Sequence, residues 1–232
     1  MAFARMRRML DPLASFDWAT LHEKYDSRCS KGGFFQQGAT TYLDAFQPTP
    51  DCDRNLYYAL VERFAGRTGS APITLATYEG MLYWKFYSRH VAVKKHCERL
   101  RLDPILRRST TIELARVSRS FPPTIPRDAE QIVGILTGLT KSLYGMAGSC
   151  TIPVRTTLLH LVYPEVVPIF DEQVLRAVGV DEKDANHSYE FFREYLPHAW
   201  SLAEKYRHRF AVFQKETPVR VIDIALWVCR GR

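Results

Sequence analysis

The chain has 232 residues, 46% of them hydrophobic, and its 32 basic and 25 acidic residues give a formal net charge of +7. This composition is typical of a folded globular protein and excludes disorder over the whole length. Uninterrupted apolar runs are only a few residues long, so we expect no membrane-spanning helix. The opening residues MAFARMRRML lack a following apolar segment, so we expect no secretory signal.

Cysteine number and spacing indicate a reducing compartment. The five cysteines are odd in number, widely spaced and without a C-x-x-C pair, so a disulfide framework is not expected. The closest pair of metal-binding types is His96 and Cys97, but adjacent helical residues point in different directions. We therefore expect no metal and no cofactor, and a cytoplasmic or nucleoid-associated location.

The first half of the chain is predicted to be mostly helical. Apolar residues at helical spacing predict a helix over 54–66, and the aromatic and basic segment 76–101 predicts two helices. Residues 38–46, GATTYLDAF, are the best candidate for extended structure. The three prolines of SFPPTIP at 120–126 exclude helix and predict a break between a front part and a back part of the chain.

A helix, a glycine turn and two further helices are predicted in the middle of the chain. Ile132, Leu136 and Leu143 belong to one apolar stripe that predicts a helix ending near Tyr144. A tight turn through Gly145 and Gly148 follows, and then helices at about 153–162 and 172–177, the latter closed by Gly179.

The C-terminal part is also predicted to be helical. Residues 187–208 carry an aromatic stripe, in which Pro197 is expected to kink or divide the helix. Thr217 can cap, and Pro218 can begin, a final helix through Trp227. The sequence thus predicts an all-α protein with one domain over 1–232, or two lobes at 1–122 and 123–232, and a helix-hairpin-helix-like element at about 139–163.

Positive charge is concentrated in residues 85–119. This window contains ten basic and three acidic residues, an excess equal to the net charge of the entire chain. Such a surplus attracts polyanions, because neutralising phosphates releases condensed counterions. The alternative is a solvated helix face without a partner. On the first interpretation, phosphate contacts are assigned to Lys94, Lys95, Arg99, Arg101, Arg107 and Arg108.

The glycine turn and the helix after it form a second candidate phosphate site. Backbone N–H groups at a helix N-terminus attract phosphate, helped by the helix dipole. Ser149 and Thr151 can add hydroxyl donors, and Arg155 can add charge. The turn and these three residues are therefore predicted to bind nucleic acid.

Residues 143–179 resemble the helix-hairpin-helix DNA glycosylase superfamily. The similarity is carried by a helix, a glycine turn, a second helix and a proline–aspartate pair about twenty residues later. The resemblance implies that Gly148 is a hairpin glycine gripping one DNA strand, that Pro168 is the motif proline and that Asp171 is the catalytic carboxylate. The hairpin lysine of the bifunctional members has no match, since Thr151 or Ile152 stands near its place.

The missing lysine bears on the expected chemistry. Arg155 cannot replace a lysine nucleophile because a guanidinium stays protonated. Schiff-base chemistry and a lyase step are therefore not expected. What remains is a lysine-independent mechanism, in which Asp171 activates water and stabilises an oxocarbenium-like sugar.

Each of these residues also has a structural interpretation. Asp171 is a good N-cap for the helix at 172–177, and capping alone would explain it. His160 lies among leucines and fits a hydrogen-bonded core histidine. The aromatic residues Tyr83, Trp84, Phe86 and Tyr87 could hold a flipped base, but their helical spacing also suits a core.

The sequence therefore supports two alternative functions. The first is a DNA-binding, glycosylase-like protein that hydrolyses an N-glycosidic bond on a damaged base, with double-stranded DNA as the expected partner. The second is a non-catalytic helical module that binds nucleic acid or a protein. Phosphate-loop, dinucleotide, serine-hydrolase-elbow and H-E-x-x-H motifs are absent from the sequence, which excludes the enzyme classes that depend on them.

Overall fold

The computed structural model of the chain describes residues 9–30, 53–65, 72–86, 90–126, 128–147, 151–180 and 188–229. Within these ranges the chain forms helices joined by turns, with no strand. Short 3-10 helices lie at Trp18–Thr20 and Arg207–Val212. The α-helices, in chain order, are α1 Leu21–Ser30, α2 Asp53–Phe64, α3 Leu75–Lys85, α4 His90–Leu102, α5 Pro104–Ser120, α6 Ala129–Gly138, α7 Thr151–Val162, α8 Glu172–Ala177, α9 Tyr189–Lys205 and α10 Pro218–Cys229. The all-α prediction is confirmed for this part of the chain.

Polar side chains cap several helix starts, among them the predicted cap Thr217 and the cap Asp103, which is not among the predicted ones. The Asp103 carboxylate accepts from the N–H groups of Ile105 and Leu106 at the start of α5, where Pro104 takes the first position. Thr217 accepts from the Arg220 N–H at the start of α10. Since each cap satisfies a donor that the helix itself leaves unpaired, the N-termini of these helices are set locally by sequence.

The hydrophobic core runs through the whole described chain as one cluster of buried side chains, from Leu13 to Cys229. Helix α10 packs on α1, α8 and α9, while α7 packs on α2, α3 and α6. Leu158, Phe192 and Leu226 are completely buried. Each such side chain contributes about 1.5–3 kcal/mol relative to exposure. Contacts of α1, α2 and α3 with the later helices join the parts before and after residue 122.

The predicted helix ending near Tyr144 is wrong in extent. Helix α6 ends at Gly138, and Leu139 adopts an extended backbone with φ −66° and ψ 141°. Residues 139–147 form bends and turns, yet Leu143 remains buried. The apolar spacing therefore predicts which side chains are buried, but not where the helix ends. The buried Arg155 guanidinium, and not a longer helix, donates to the carbonyls of Leu136 and Thr140.

Proline positions give mixed outcomes. The predicted break at 120–126 is confirmed, because the segment between α5 and α6 is not helical. Of the two outcomes expected at Pro197, a kink or a division, the division is wrong, since α9 continues through it. A proline within a helix costs the carbonyl four residues earlier its partner. That carbonyl belongs to Arg193, an exposed residue, where water can replace the lost bond.

Two further expectations concern extended structure and membranes. The candidate extended segment 38–46 lies outside the described residues. Among the residues described, no helix has the length and apolar character needed to cross a bilayer.

Candidate nucleic-acid interface

Helices α4 and α5 carry the predicted phosphate contacts on their surfaces. All six side chains assigned from the sequence are exposed, namely Lys94, Lys95, Arg99, Arg101, Arg107 and Arg108. The two helices pack against each other and meet at Asp103, the N-cap of α5. On either side of this corner Leu102 and Ile105 are 84% and 83% exposed. The corner therefore combines exposed basic side chains with two exposed apolar side chains.

An aromatic stack joins helix α4 to the turn before α7. The rings of His96 and Tyr144 are stacked, with centroids 4.1 Å apart and planes inclined by 16°. The Tyr78 hydroxyl donates to the Tyr144 carbonyl at 2.7 Å, which fixes the backbone of the turn to α3. The predicted glycine turn and the basic helix are thus neighbours in space.

The end of α3 connects this turn with Asp171. Phe86 packs against Gly145, where an added Cβ would lie 3.2 Å from the Phe86 ring and where φ is +83°. A side chain at Gly145 would therefore be strained by both its backbone and its neighbour. The preceding residue, Lys85, places its Nζ atom 3.3 Å from Asp171 Oδ2. Adjacent residues of one helix end thus contact the turn and the candidate carboxylate.

Both oxygens of the Asp171 carboxylate have partners. Oδ1 accepts from the N–H groups of Gln173 and Val174, at 3.0 and 3.2 Å, and caps α8 as predicted. Oδ2 accepts from Lys85. The Asp171 side chain is 24% exposed and that of Lys85 is 12% exposed. Asp171 is therefore held on both oxygens and is partly accessible.

Buried side chains hold the loop that leads to Asp171. Two consecutive amides just before Asp171 are bound: the Ile169 N–H donates to Asp223 Oδ2 at 2.9 Å, and the Phe170 N–H donates to Thr156 Oγ1 at 3.2 Å. Both acceptors are buried. Because α7 and α10 each supply one of them, the position of Asp171 depends on the packing of these two helices.

Three carbonyls earlier in the same loop are also bound. His160 Nδ1 donates to the Val167 carbonyl at 2.5 Å, and Trp200 Nε1 donates to the Val166 carbonyl at 2.7 Å. The Thr217 hydroxyl donates to the Pro164 carbonyl at 2.6 Å. A loop bound at five backbone positions is rigid, and such preorganisation is what a functional side chain requires.

His160 is a core histidine, as the structural interpretation predicted. It is completely buried. Burial first, and then the Arg220 charge, lowers the pKa of His160 to about 3, so the ring is neutral. With Nδ1 donating to Val167, the Tyr57 hydroxyl donates to Nε2 at 2.9 Å. A neutral, fully bonded and inaccessible imidazole has a structural role.

A buried carboxylate, Asp223, lies near the same histidine. Its Oδ2 atom is 4.0 Å from His160 Nδ1. Burial raises the pKa of Asp223 to about 8, against the opposing effects of Arg220 and the Ile169 hydrogen bond. The Arg220 guanidinium lies over the Tyr57 and Trp84 rings, 4.5 and 5.1 Å from their centroids. This cluster stabilises the base of the Asp171 loop.

Of the residues assigned to phosphate at the turn, Arg155 is the one whose side chain the structure describes. Gly148 and Ser149 lie outside the described residues, and Thr151 is described only as the first residue of α7. Arg155 is 1% exposed, so its assignment to phosphate is corrected. Its guanidinium donates to the carbonyls of Leu136 and Met146 and to the Tyr189 hydroxyl, at 2.8, 3.2 and 2.9 Å. An arginine used in this way supports the turn from inside.

The aromatic segment before α4 is core. Tyr83 and Trp84 are 2% and 8% exposed, and Phe86 is partly buried, while Tyr87 lies outside the described residues. Among the described Phe, Tyr and Trp side chains, that of Tyr144 is the most exposed, at 36%. The apolar spacing of residues 132–144 places Tyr144 in the buried stripe of a helix, so the sequence does not predict that its ring is exposed.

A groove of about 490 Å³ lies elsewhere, between the proline segment and α6. Its lining includes Pro122, Pro126, Ile135 and Gly138, but neither Asp171 nor any residue of α4.

Two cysteines have described side chains. Cys97 and Cys229 are buried and form no disulfide, Cys29 is described only as part of α1, and Cys52 and Cys150 lie outside the described residues. The described residues contain no group of three or more His, Cys, Asp or Glu side chains able to hold a metal ion.

Comparison with known proteins gives no relative: no protein family, curated protein or solved structure matches this chain.

Proposed function

We propose that this chain binds nucleic acid through the cationic surface of helices α4 and α5. The observation that carries the proposal is that all six lysines and arginines assigned from the sequence are exposed on two helices in contact. The window 85–119 holds ten basic residues and three acidic ones, Glu98, Asp103 and Glu113. Asp103 caps α5, Glu113 lies 3.5 Å from Arg116, and the charge of Glu79 on α3 interacts with Arg101 and Arg107, so the surface keeps an excess of positive charge. Such a surface suits the phosphate backbone, which supplies most sequence-independent affinity.

The residues next to this surface favour nucleic acid over a polyanion that has no bases. The His96–Tyr144 stack connects α4 to the turn before α7, and Phe86 connects that turn to the end of α3 beside Asp171. A strand running along α4 would therefore pass close to the turn and the carboxylate. Double-stranded DNA is the partner we propose for the cationic surface.

A second candidate function is N-glycosidic bond hydrolysis at Asp171. It is favoured by the five-point support of the Asp171 loop, which is more than a helix cap needs. In this reaction the carboxylate would stabilise a cationic sugar while water adds to C1′ and the C1′–N bond breaks. The released base would leave with one proton from that water, and the hydroxyl would remain on the sugar.

The contacts of Asp171 also fit the alternative function, a non-catalytic binding module. The Asp171 oxygens already have three partners. These contacts fit a carboxylate that only caps α8 and pairs with Lys85. The two functions share one DNA-binding surface and differ in the role of Asp171.

The binding proposal is tested by titrating a fluorescent duplex at about 50 mM salt and at rising salt, where each phosphate contact contributes about 0.9 to the slope of log K against log salt. Six contacts predict a slope of about −5. Substituting Arg107 and Arg108 by alanine should reduce the slope by about 2, while Arg193→Ala on the exposed side of α9 should not change it. No binding at the lowest salt would refute the proposal and leave a protein partner.

The hydrolysis proposal is tested separately with duplexes that each contain one damaged base. Excision by the unmodified protein, abolished in Asp171→Asn with binding retained, would support it. Binding without excision across all lesions would identify the chain as a binding module.

A further inference from the structure

The exposed ring of Tyr144 is a feature that the phosphate contacts do not use. It lies on the turn between α6 and α7 and is 36% exposed, while one of its faces stacks on His96. Tyrosines elsewhere in the described core, such as Tyr78 and Tyr83, are almost completely buried. Other aromatic side chains are partly buried, but Tyr144 is the most exposed Phe, Tyr or Trp among the described residues.

The ring is held in place from several sides. Tyr78 donates to the Tyr144 carbonyl, and the next residue, Gly145, has a positive φ and packs against Phe86. His96 supports the ring from α4. Burial and the nearby Arg99 charge both lower the pKa of His96, which favours a neutral imidazole at neutral pH. A planar ring fixed in this way loses little side-chain entropy when another ring binds to it.

Basic residues outnumber acidic ones on the two segments that carry the stack, and Arg99 is close enough to His96 to lower its pKa. Lys94 and Lys95 are exposed just before His96 on α4, Arg99 follows one turn later, and Lys141 is exposed on the same segment as Tyr144. No acidic residue occurs between 139 and 147. An anionic ligand with flat aromatic groups fits such surroundings, and nucleic acid has both properties.

We propose that Tyr144, supported by His96, is a stacking site for an unpaired nucleobase. The proposal rests on the nucleic-acid-binding function above and adds a preference that the cationic surface alone does not give. In a duplex both faces of each base are occupied by neighbours, whereas a single strand or an unpaired nucleotide leaves a face available. The chain should therefore bind unpaired nucleotides more tightly than a fully paired duplex of equal charge.

The test compares the chain with Tyr144→Phe, Tyr144→Leu and Tyr144→Ala. The probe is a single-stranded oligonucleotide of about 12 nucleotides that carries the fluorescent base 2-aminopurine, beside a fully paired duplex. We expect Tyr144→Phe to bind like the unmodified chain. Tyr144→Ala should bind the single strand about 5- to 150-fold more weakly, with an unchanged salt slope. Binding should quench 2-aminopurine only when residue 144 is aromatic.

Tyr144→Leu serves in case the alanine variant unfolds, because leucine retains apolar contact with His96 but has no ring to stack. Val212→Ala is the matched surface control, since Val212 is 72% exposed on a 3-10 helix. Unchanged affinity and quenching in the leucine or alanine variants would overturn the stacking site while leaving phosphate binding intact. Failure of the unmodified chain to bind either probe at low salt would overturn both proposals.

Discussion

Lys85 and Asp171 form an ion pair between helix ends that are 86 positions apart, with Nζ 3.3 Å from Oδ2. The pair joins α3 to the N-terminus of α8, and both side chains are mostly buried. It places an ammonium group beside the carboxylate that the sequence singled out.

Replacing Lys85 by methionine should lower the free energy of unfolding by about 1 kcal/mol, because a partly buried pair is screened less than an exposed one. Lys95→Met is the control, since Lys95 is exposed on α4. Urea titrations of both variants measure the difference. Equal stabilities in the two variants would show that the ion pair contributes nothing.

Asp171 should respond differently to asparagine and to alanine. Asparagine caps a helix about as well as aspartate, so Asp171→Asn should retain most of the stability. Asp171→Ala should lose about 1 kcal/mol with the cap. If Asp171 also acts in hydrolysis, both variants should lose excision of a damaged base. Full excision by the asparagine variant would assign Asp171 to capping alone.

Stability should depend on pH through Asp223 and His160. Burial raises the pKa of Asp223 from 3.8 to about 8, so its contribution is complete below pH 3.8 and is lost as pH rises towards 8. Burial lowers the pKa of His160 from 6.5 to about 3, so its contribution is complete above pH 6.5 and is lost as pH falls towards 3. The two slopes oppose each other between about pH 4 and 6.5, and only the Asp223 slope remains from about 6.5 to 8.

Unfolding free energies measured from pH 4 to 8 should therefore be nearly constant at first and then fall by up to about 1.4 kcal/mol per pH unit above 6.5. Asp223→Asn should abolish that fall and reveal the loss below pH 6.5 that is due to His160. A variant with the same pH profile as the unmodified chain would refute the role of Asp223.

Arg155 should matter for folding and not for binding. Arg155→Met removes donors from the carbonyls of Leu136, Thr140 and Met146. A buried carbonyl left unpaired costs about 1–3 kcal/mol, so we expect a loss of about 3 kcal/mol in unfolding free energy. The slope of DNA affinity against salt should be unchanged, whereas Arg99→Ala, an exposed substitution, should reduce it by about 1. A reduced slope for Arg155→Met would restore Arg155 to the phosphate contacts.

Local sequence determined the helices and their starts. Asp103, Asp171 and Thr217 cap the helices that follow them, because a cap needs only a side-chain oxygen two or three residues before the N–H groups it accepts from. The exposure of the cationic residues on α4 and α5 was predictable for a similar reason. Desolvating a charge is costly, so a dense group of lysines and arginines stays at the surface.

Tertiary structure decided which of the remaining residues act together. Arg155 has the same charge as Arg99, yet the turn after α6 presents carbonyls that Arg155 satisfies, and so it is buried. The sequence contained no indication that Lys85 would reach Asp171 or that Tyr144 would stack on His96, since these partners lie far apart along the chain. Short-range rules of capping and periodicity act over a few residues, whereas these contacts depend on how packed helices bring distant segments together.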